Sequence, residues 1–488
     1  MASSHKSLKL KVFSGFLWRV AERAGASIVR FVVSIILARL LAPDIFGIIA
    51  IVIVFTSFAD VFIESGFGKA LIQKKDADDI DFSSIFYFTT AISIVAYALL
   101  YFSAPIIANF FELFEHSQLT SLLRLMTLSL LISGLNIAQS AYASRNMLFN
   151  RFFWATGGAV IISATVAIIM VITGFGIWAL AAQHLIGAIV YTIILWLTLK
   201  WRPKLAFSWQ RIKTLYSYGW KLLLANMTYR VYRELRTVLI GHLYSPADLA
   251  YFTRGRSFPA LIADNSSRAI SSVLFPAISK EQNSTKAVKS MMRQSMTVTS
   301  YLMWPMMVGL AIVAEPLVLL LLTETWIEVV PFLQIACIFF ALHPIHESNI
   351  LAINALGRSD ITLKLRVLKT IVGIGILLLV MSHGVLAIAL STILTSIIFV
   401  FINMFPNAKL INYRIKEQLV DIFPYMGMAT LMTAAIYPIQ LLQMPYILTI
   451  FLQVVAGAGV YLLLSVIFKV KTFYFILDTI RQRFAQKH

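Results

Sequence analysis

Long apolar stretches recur from one end of the chain to the other, separated by short polar connections. Runs of about 18 or more apolar residues are the mark of membrane-crossing helices. The pattern predicts helices over 14–38, 46–67, 83–107, 121–143, 153–173, 177–199, 215–241, 249–274, 295–321, 331–355, 365–381, 385–405, 420–440 and 446–468. Such a chain is an all-α polytopic membrane protein with about 14 transmembrane helices and no extramembrane domain.

Composition agrees. Hydrophobic residues make up 59% of the chain and charged residues 13%, with a mean hydropathy of +0.83, whereas soluble proteins carry roughly 25% charged residues. Cys337 is the one cysteine, which excludes intrachain disulfides and a cysteine metal cluster. The start "MASSHKSLKLKVF" is basic and then apolar, like a signal peptide. No small-residue cleavage site follows, and Arg19, Glu22 and Arg23 interrupt the apolar run, so it reads as a retained first span.

The formal net charge of +19 first suggests nucleic acid. Its placement argues otherwise. Most lysines and arginines fall in alternate connections: Lys6, Lys9 and Lys11; Lys69, Lys74 and Lys75; Lys200, Arg202, Lys204, Arg211 and Lys213; Lys280 to Arg293; Arg358 to Lys369; Lys409 to Lys416; and the C-terminal tail. The opposite connections, such as "SAPIIANFFELFEHSQ" and "LTETWIEVVP", carry essentially none. The positive-inside rule then places both termini in the cytoplasm. The basic excess is topological, and no nucleic-acid partner is expected.

The remaining cations lie in or at the ends of spans: Arg19, Arg23, Arg30, Arg39, Arg124, Lys221, Arg230, Arg233, Arg236, Arg254, Arg256 and Arg268. Arg19, Arg23 and Arg30 share one helical face, as do Asn226, Arg230, Arg233, Glu234 and Thr237. Asp60 and Glu64 stand one turn apart, and His343, His346, Glu347 and Asn354 form a polar stripe. An arginine at the bilayer centre costs ~3 kcal/mol on insertion scales, while each Leu or Ile returns only ~0.5. These faces must therefore meet water or one another. Arg19 can snorkel to the interface, but Arg30, near mid-span, cannot easily do so. Structural pairs such as Arg230 with Glu234, or Arg23 with Glu22, account for some of the charge. Cations outnumber anions in the spans, so a cationic cavity is the expectation.

A weak duplication supports a cavity. "ARLLAPDIFGI" (38–48) corresponds to "GHLYSPADLAY" (241–251), and "GIWALA" (176–181) to "GVLAIA" (384–389). The expected parts are a six-helix bundle over 1–200, a second over 201–410, and two further spans with a basic tail over 411–488. Six spans per bundle make the repeat parallel.

Three stretches resemble one family: "SGFLWRVAERAGASIVRFVVSIILARLLAPDIFGIIA", "ESGFGKALIQKKDADD" and "NALGRSDITLKLRVLK". They are similar to the polysaccharide exporters of the MOP (multidrug/oligosaccharidyl-lipid/polysaccharide) superfamily, and more narrowly to Wzx-type lipopolysaccharide and exopolysaccharide flippases of the colanic-acid-exporter kind. The resemblance implies a V-shaped pair of bundles around a central cavity. It also implies transfer of an undecaprenyl-diphosphate-linked oligosaccharide to the periplasmic leaflet of a bacterial inner membrane by ion-coupled alternating access. Polysaccharide polymerase and chain-length proteins are the implied neighbours.

A diphosphate suits arginine, whose planar fork binds phosphate oxygens bidentately and does not deprotonate. The candidate contacts are Arg19, Arg23, Arg30, Arg230 and Arg233, with Arg254, Arg256 and Arg268 secondary. Trp18 and Tyr229 are candidates for stacking on sugars, or are packing aromatics. Asp60, Glu64, Glu234, Asp264 and Glu347 are the candidate carboxylates for coupling to H+ or Na+. Pro259, Pro305, Pro344, Pro424 and Pro438 are hinge or kink positions.

Other signals are weaker. "HPIHE" lacks the two-histidine i, i+4 spacing of a zinc helix and contains Pro344, so no metal is expected. No P-loop or other cofactor motif appears. "NMT", "NSS" and "NST" match glycosylation sequons but fall in spans or on the basic side. The C-terminal "KVKTFYFILDTIRQRFAQKH" reads either as an amphipathic interfacial helix or as a frayed tail. The rival readings are a peptidoglycan-precursor flippase, a multidrug exporter and, in another class, a membrane glycan polymerase or ligase. The last lacks room for a site in the connections.

Overall fold

The computed structural model describes residues 2–64, 66–74, 76–281 and 283–485. Among them the regular elements are helices: α1 (Ala2–Leu40), α2 (Pro43–Glu64), α3 (Phe67–Gln73), α4 (Asp79–Phe110), α5 (His116–Met126), α6 (Leu128–Arg145), α7 (Phe149–Ile172), α8 (Ile177–Thr198), α9 (Trp209–Leu243), α10 (Pro246–Lys280), α11 (Thr285–Ile312), α12 (Ala314–Leu321), α13 (Val329–Ala341), α14 (His343–Ala355), α15 (Ser359–Val380), α16 (Val385–Leu410), α17 (Ile415–Ile436), α18 (Tyr446–Ile467) and α19 (Lys471–Ala485). A helix bonds its own backbone, which is what a chain must do in hydrocarbon. The protein is an all-helical, multi-pass membrane protein. Among the described residues, 10 stretches are long and apolar enough to cross a bilayer. Helices α1, α9, α10 and α15 are not among these, and each is interrupted by charged residues.

Several expected spans are bent rather than continuous. The one at 121–143 breaks at Thr127 between α5 and α6, and the one at 331–355 breaks at Leu342, where Pro344 opens α14. Pro305 and Pro424 do lie inside helices, whereas Pro438 opens a short 3-10 turn, Tyr437–Leu442. The C-terminal segment is helical as α19, with Thr472 buried against α17 through a 2.7 Å hydrogen bond between the Tyr425 and Thr472 hydroxyls.

Packing divides the chain into two compact units, Met1–Ala250 and Tyr251–His488. In the first, α7 packs on α8 and α1, α4 on α6, and α9 on α2, α3 and α4. Helix α2 approaches the turn after α9 so closely that a Cβ at Gly47 would stand 1.8 Å from the Pro246 carbonyl oxygen. Only glycine fits there. In the second unit α11 packs on α17, α13 and α14, and α16 on α13, α14 and α15.

Each unit has an electrostatic clamp at its basic end. In the first, Asp78 caps α4 and Asp81 returns the bond in a capping box. Buried Asp81 also receives the Lys74 ammonium at 2.6 Å and the Arg211 guanidinium at 3.1 Å, which tie α3 and α9 to α4. The Ser83 and Ser84 hydroxyls accept from the Lys204 and Ser208 backbone N–H groups and hold the connection after α8. In the second unit Lys289 bridges to Glu417 at 2.6 Å, while Arg293 and the Tyr413 hydroxyl converge on Asp421. This joins α11 to α17.

Removing the shared carboxylate leaves Lys74 without its acceptor and Arg211 with Asp78 alone. Asp81→Ala is expected to lower the melting midpoint of the detergent-solubilised protein by a few degrees, more than Asp76→Ala does. The Asp81 backbone N–H and then Arg211 hold the Asp78 carboxyl below the ordinary carboxylate range. Its contribution is present at neutral pH and is lost as pH falls through that depressed value. A pH series of melting midpoints for Asp78→Asn against the parent checks this: the gap between them should close in acid.

Candidate functional site

In the first unit the arginines of α1 have unlike fates. Arg19 donates to Glu22 at 2.9 Å, and Glu22 accepts from the Thr156 hydroxyl at 3.0 Å. The Arg19 guanidinium also lies 3.9 Å from the Phe152 ring centroid and 4.9 Å from that of Phe149. Glu22 is thus the partner of Arg19 rather than of Arg23, and Arg19 anchors α1 to α7. Cation–π contact and a partly buried ion pair are what a guanidinium needs to be held there. Trp18 joins the same contact, edge-on to Phe153 at 5.1 Å.

Arg23 and Arg30 are both exposed, and neither makes an ion pair among the described residues. At 100° per residue they stand within about 20° of each other on the α1 wheel. Exposed Ile28, Val32 and Ile36 lie roughly 130–170° away. Helix α1 therefore has two open faces, one apolar and one cationic. Lipid satisfies the first, while the second requires water or an anion.

The α9 arginines are not free in the same way. Arg230 at 3.4 Å and Arg233 at 2.7 Å reach the same Oε1 of Glu234. Asp60 on α2 lies beside the Ser133 hydroxyl and in the field of Arg230 and Glu64. The fold thus gathers Asp60, Glu64, Arg230, Arg233 and Glu234 into one charged patch, in which carboxylates outnumber cations. Arg236, on the same helix, is buried with its Nε and Nη2 atoms unpartnered, 5.6 Å from the Tyr232 ring centroid. It was the arginine to notice in the sequence, since it stands off the face shared by Arg230, Arg233 and Glu234.

In the second unit Arg254 lies 5.6 Å from the Trp326 ring centroid, and Arg256 between Phe252 at 5.6 Å and Phe339 at 5.3 Å. Gly255 lets α10 close on α13, since a Cβ there would meet Phe332 at 2.7 Å and the Leu333 backbone nitrogen at 2.8 Å. Asp264 is exposed. The side chains of Lys221, Asn226, Tyr229 and Arg268 lie outside the described residues. Glu347 is 3.8 Å from His343 Nε2. His346 turns away from both, to the Ser396 hydroxyl at 2.9 Å and the Asn403 amide at 3.0 Å, so "HPIHE" does not converge.

The second unit also has a largely apolar cavity of about 480 Å³ along α11, α17 and α18, lined by Pro305, Gly309, Met432 and Gly457. Gln453 faces it, buried, with both amide heteroatoms unpartnered. Being uncharged, this residue does not stand out among the in-span polar groups of the sequence. A single carboxamide within the 22-residue apolar helix α18 was the available signal.

A family model described as "Polysaccharide biosynthesis protein" matches residues 36–331. The succinoglycan biosynthesis transport protein ExoT of Rhizobium meliloti is 26% identical over 318 residues, 65% of this chain; the chain spans 63% of that relative's length. The lipopolysaccharide biosynthesis protein WzxC of Escherichia coli is 21% identical over 410 residues, 83% of this chain and 82% of that one. Among solved structures, the lipid II flippase MurJ in an inward closed conformation aligns with a TM-score of 0.76 at 16% identity, covering 91% of this chain and 98% of that one. An inward-facing multidrug resistance MATE family transporter of the MOP superfamily aligns at 0.56 and 15%, covering 81% and 95%. The fold is that of these transporters.

The geometry separates anchoring from open arginines. Arg19→Ala is expected to lower the melting midpoint of the purified protein, whereas Arg30→Ala should leave it within about 1 °C of the parent, because a solvated side chain away from packing changes stability little. Thermal unfolding of the two variants side by side checks this.

Proposed function

The chain belongs to the polysaccharide biosynthesis protein family, and from that premise we propose that it is a flippase for undecaprenyl-diphosphate-linked oligosaccharide. It moves the headgroup from the cytoplasmic to the periplasmic leaflet of a bacterial inner membrane, with both termini cytoplasmic. Helices α1, α9, α10 and α15 cross the membrane with the apolar ones. The repeat runs over 1–200 and 201–410, with 411–488 as the appended part. The protein carries glycan and does not make it.

The observation that carries this reading is the unpaired pair Arg23 and Arg30, opposite the apolar face of α1. A diphosphate and a hydrated glycan cannot cross hydrocarbon unsolvated, since each lost hydrogen bond costs several kcal/mol. Two guanidinium forks replace water around phosphate. The isoprenoid tail needs only apolar surface, which the lipid offers. Arg254 and Arg256, stacked on aromatic rings, and Arg268 are secondary contacts.

Asp60, Glu64 and Glu234 suit coupling. Asp60 lies beside Glu64 in the field of Arg230, and Glu234 holds both Arg230 and Arg233, so protonating one of these carboxylates, or occupying it with Na+, changes how strongly the arginines are held. One charge falling through 100 mV contributes ~2.3 kcal/mol. Asp264 and Glu347 lie in the second unit and are the remaining coupling candidates.

Export of surface polysaccharide in a strain lacking the chromosomal copy tests the reading. Arg30→Ala and Arg23→Ala should reduce export by at least about tenfold, with the protein still inserted. Arg30→Lys should restore part of it if charge suffices and little if the fork is required. Normal export by the double alanine variant overturns the assignment. The lipid-linked sugar that accumulates in the deletion strain separates surface-polysaccharide cargo from peptidoglycan precursor. Reporter fusions after Glu112 and Trp326 are expected to read periplasmic.

A further inference from the structure

A second cavity, of about 720 Å³, runs along α17 beside the elbow joining α18 to α19. Its bed is Val420, Pro424, Met428 and Leu431, with Phe468 from the elbow. From Val420 to Leu431 it follows α17 for about 17 Å at 1.5 Å per residue. The hydrocarbon of one leaflet is about half of a ~30 Å core. The groove is one acyl chain deep.

Its other end is cationic. Lys469 and Lys471 line it, both exposed, and neither makes an ion pair among the described residues. The one acid on the lining, Asp421, is already held by Arg293 and the Tyr413 hydroxyl, so it does not neutralise them. The hydrogen bond between Tyr425 and Thr472 clips the start of α19 to α17 and sets Lys471 beside the groove.

Lys469 stands where the backbone favours glycine. At the end of α18 its N–H donates to the Val466 carbonyl at 3.1 Å and the next N–H, of Val470, to the Ser465 carbonyl at 3.0 Å, with φ at 49°. This is the left-handed helix stop usually filled by glycine. A lysine there keeps an ammonium at the groove mouth at some cost to the backbone.

We propose that this groove is a binding site for an acidic membrane phospholipid. One acyl chain lies along α17, and the phosphodiester sits between the Lys469 and Lys471 ammonium groups. The site is distinct from the arginine faces of the proposed flippase path and does not depend on that reading.

The test uses the full-length protein in detergent, titrated with phosphatidylglycerol or phosphatidylcholine and read by native mass spectrometry. Phosphatidylglycerol should bind preferentially, with about fivefold weaker binding for each lysine removed. Lys469→Gly should weaken binding while leaving the melting midpoint equal or higher, the opposite of what a merely structural lysine would do. Leu431→Trp, which fills the groove with both lysines intact, should weaken it too. Equal retention of the two lipids, or unchanged phosphatidylglycerol binding in Lys469→Gly/Lys471→Ala, overturns the proposal. So does undecaprenyl phosphate displacing phosphatidylglycerol at equal concentration, because the groove would then serve cargo.

Discussion

A guanidinium in a bilayer must be met by an anion, an aromatic face or water, and much of this structure follows from that requirement. Arg19 has a carboxylate and two rings. Arg230 and Arg233 share one carboxylate oxygen. Arg254 and Arg256 lie against aromatic rings. Arg23 and Arg30 are left to water or a ligand. The same residue type thus serves as anchor, as part of a coupled cluster, or as an open contact, according to what the neighbouring helix presents.

The rest of the framework keeps these choices fixed. Asp81 gathers Lys74 and Arg211 at one end of the first unit, and Asp421 gathers Arg293 and Tyr413 in the second. Deeper in the second unit, the Gln418 side chain donates to the Tyr413 carbonyl and accepts from Asn349, which in turn accepts from Asn407. Hydrogen-bonded carboxamides of this kind lock α14, α16 and α17 in register, since in a low-dielectric interior each broken link leaves an unsatisfied group. The proposed flippase cycle needs such rigid parts, because a substrate site survives conformational change only if its supports move as bodies.

Membrane class, helical content and the approximate position of most spans were legible in the chain, because an apolar run long enough to cross a bilayer has few other stable fates. The bends were less legible. Thr127 is neither glycine nor proline, and where α5 and α6 part its hydroxyl donates back to the Leu123 and Arg124 carbonyls; Pro344, by contrast, marks the start of α14 where it was visible. The charged stripes were visible as faces of single helices. Their pairing was not: Glu22 is adjacent to Arg23 and three residues from Arg19 along the chain, and the fold couples it to Arg19, where Thr156, Phe149 and Phe152 of α7 meet the pair.

By itself, then, the sequence determined that the chain lives in a membrane as a set of helices, which ends are basic, and which helices carry charge where apolar residues were expected. These are properties of composition and period, and each residue contributes to them independently. Only the tertiary structure decided which arginines are neutralised, that Asp60 shares a field with Arg230, and that Lys469 and Lys471 flank a groove one leaflet deep. Those are relations between residues far apart in the chain. Their energies depend on distance and burial, which a one-dimensional pattern does not contain.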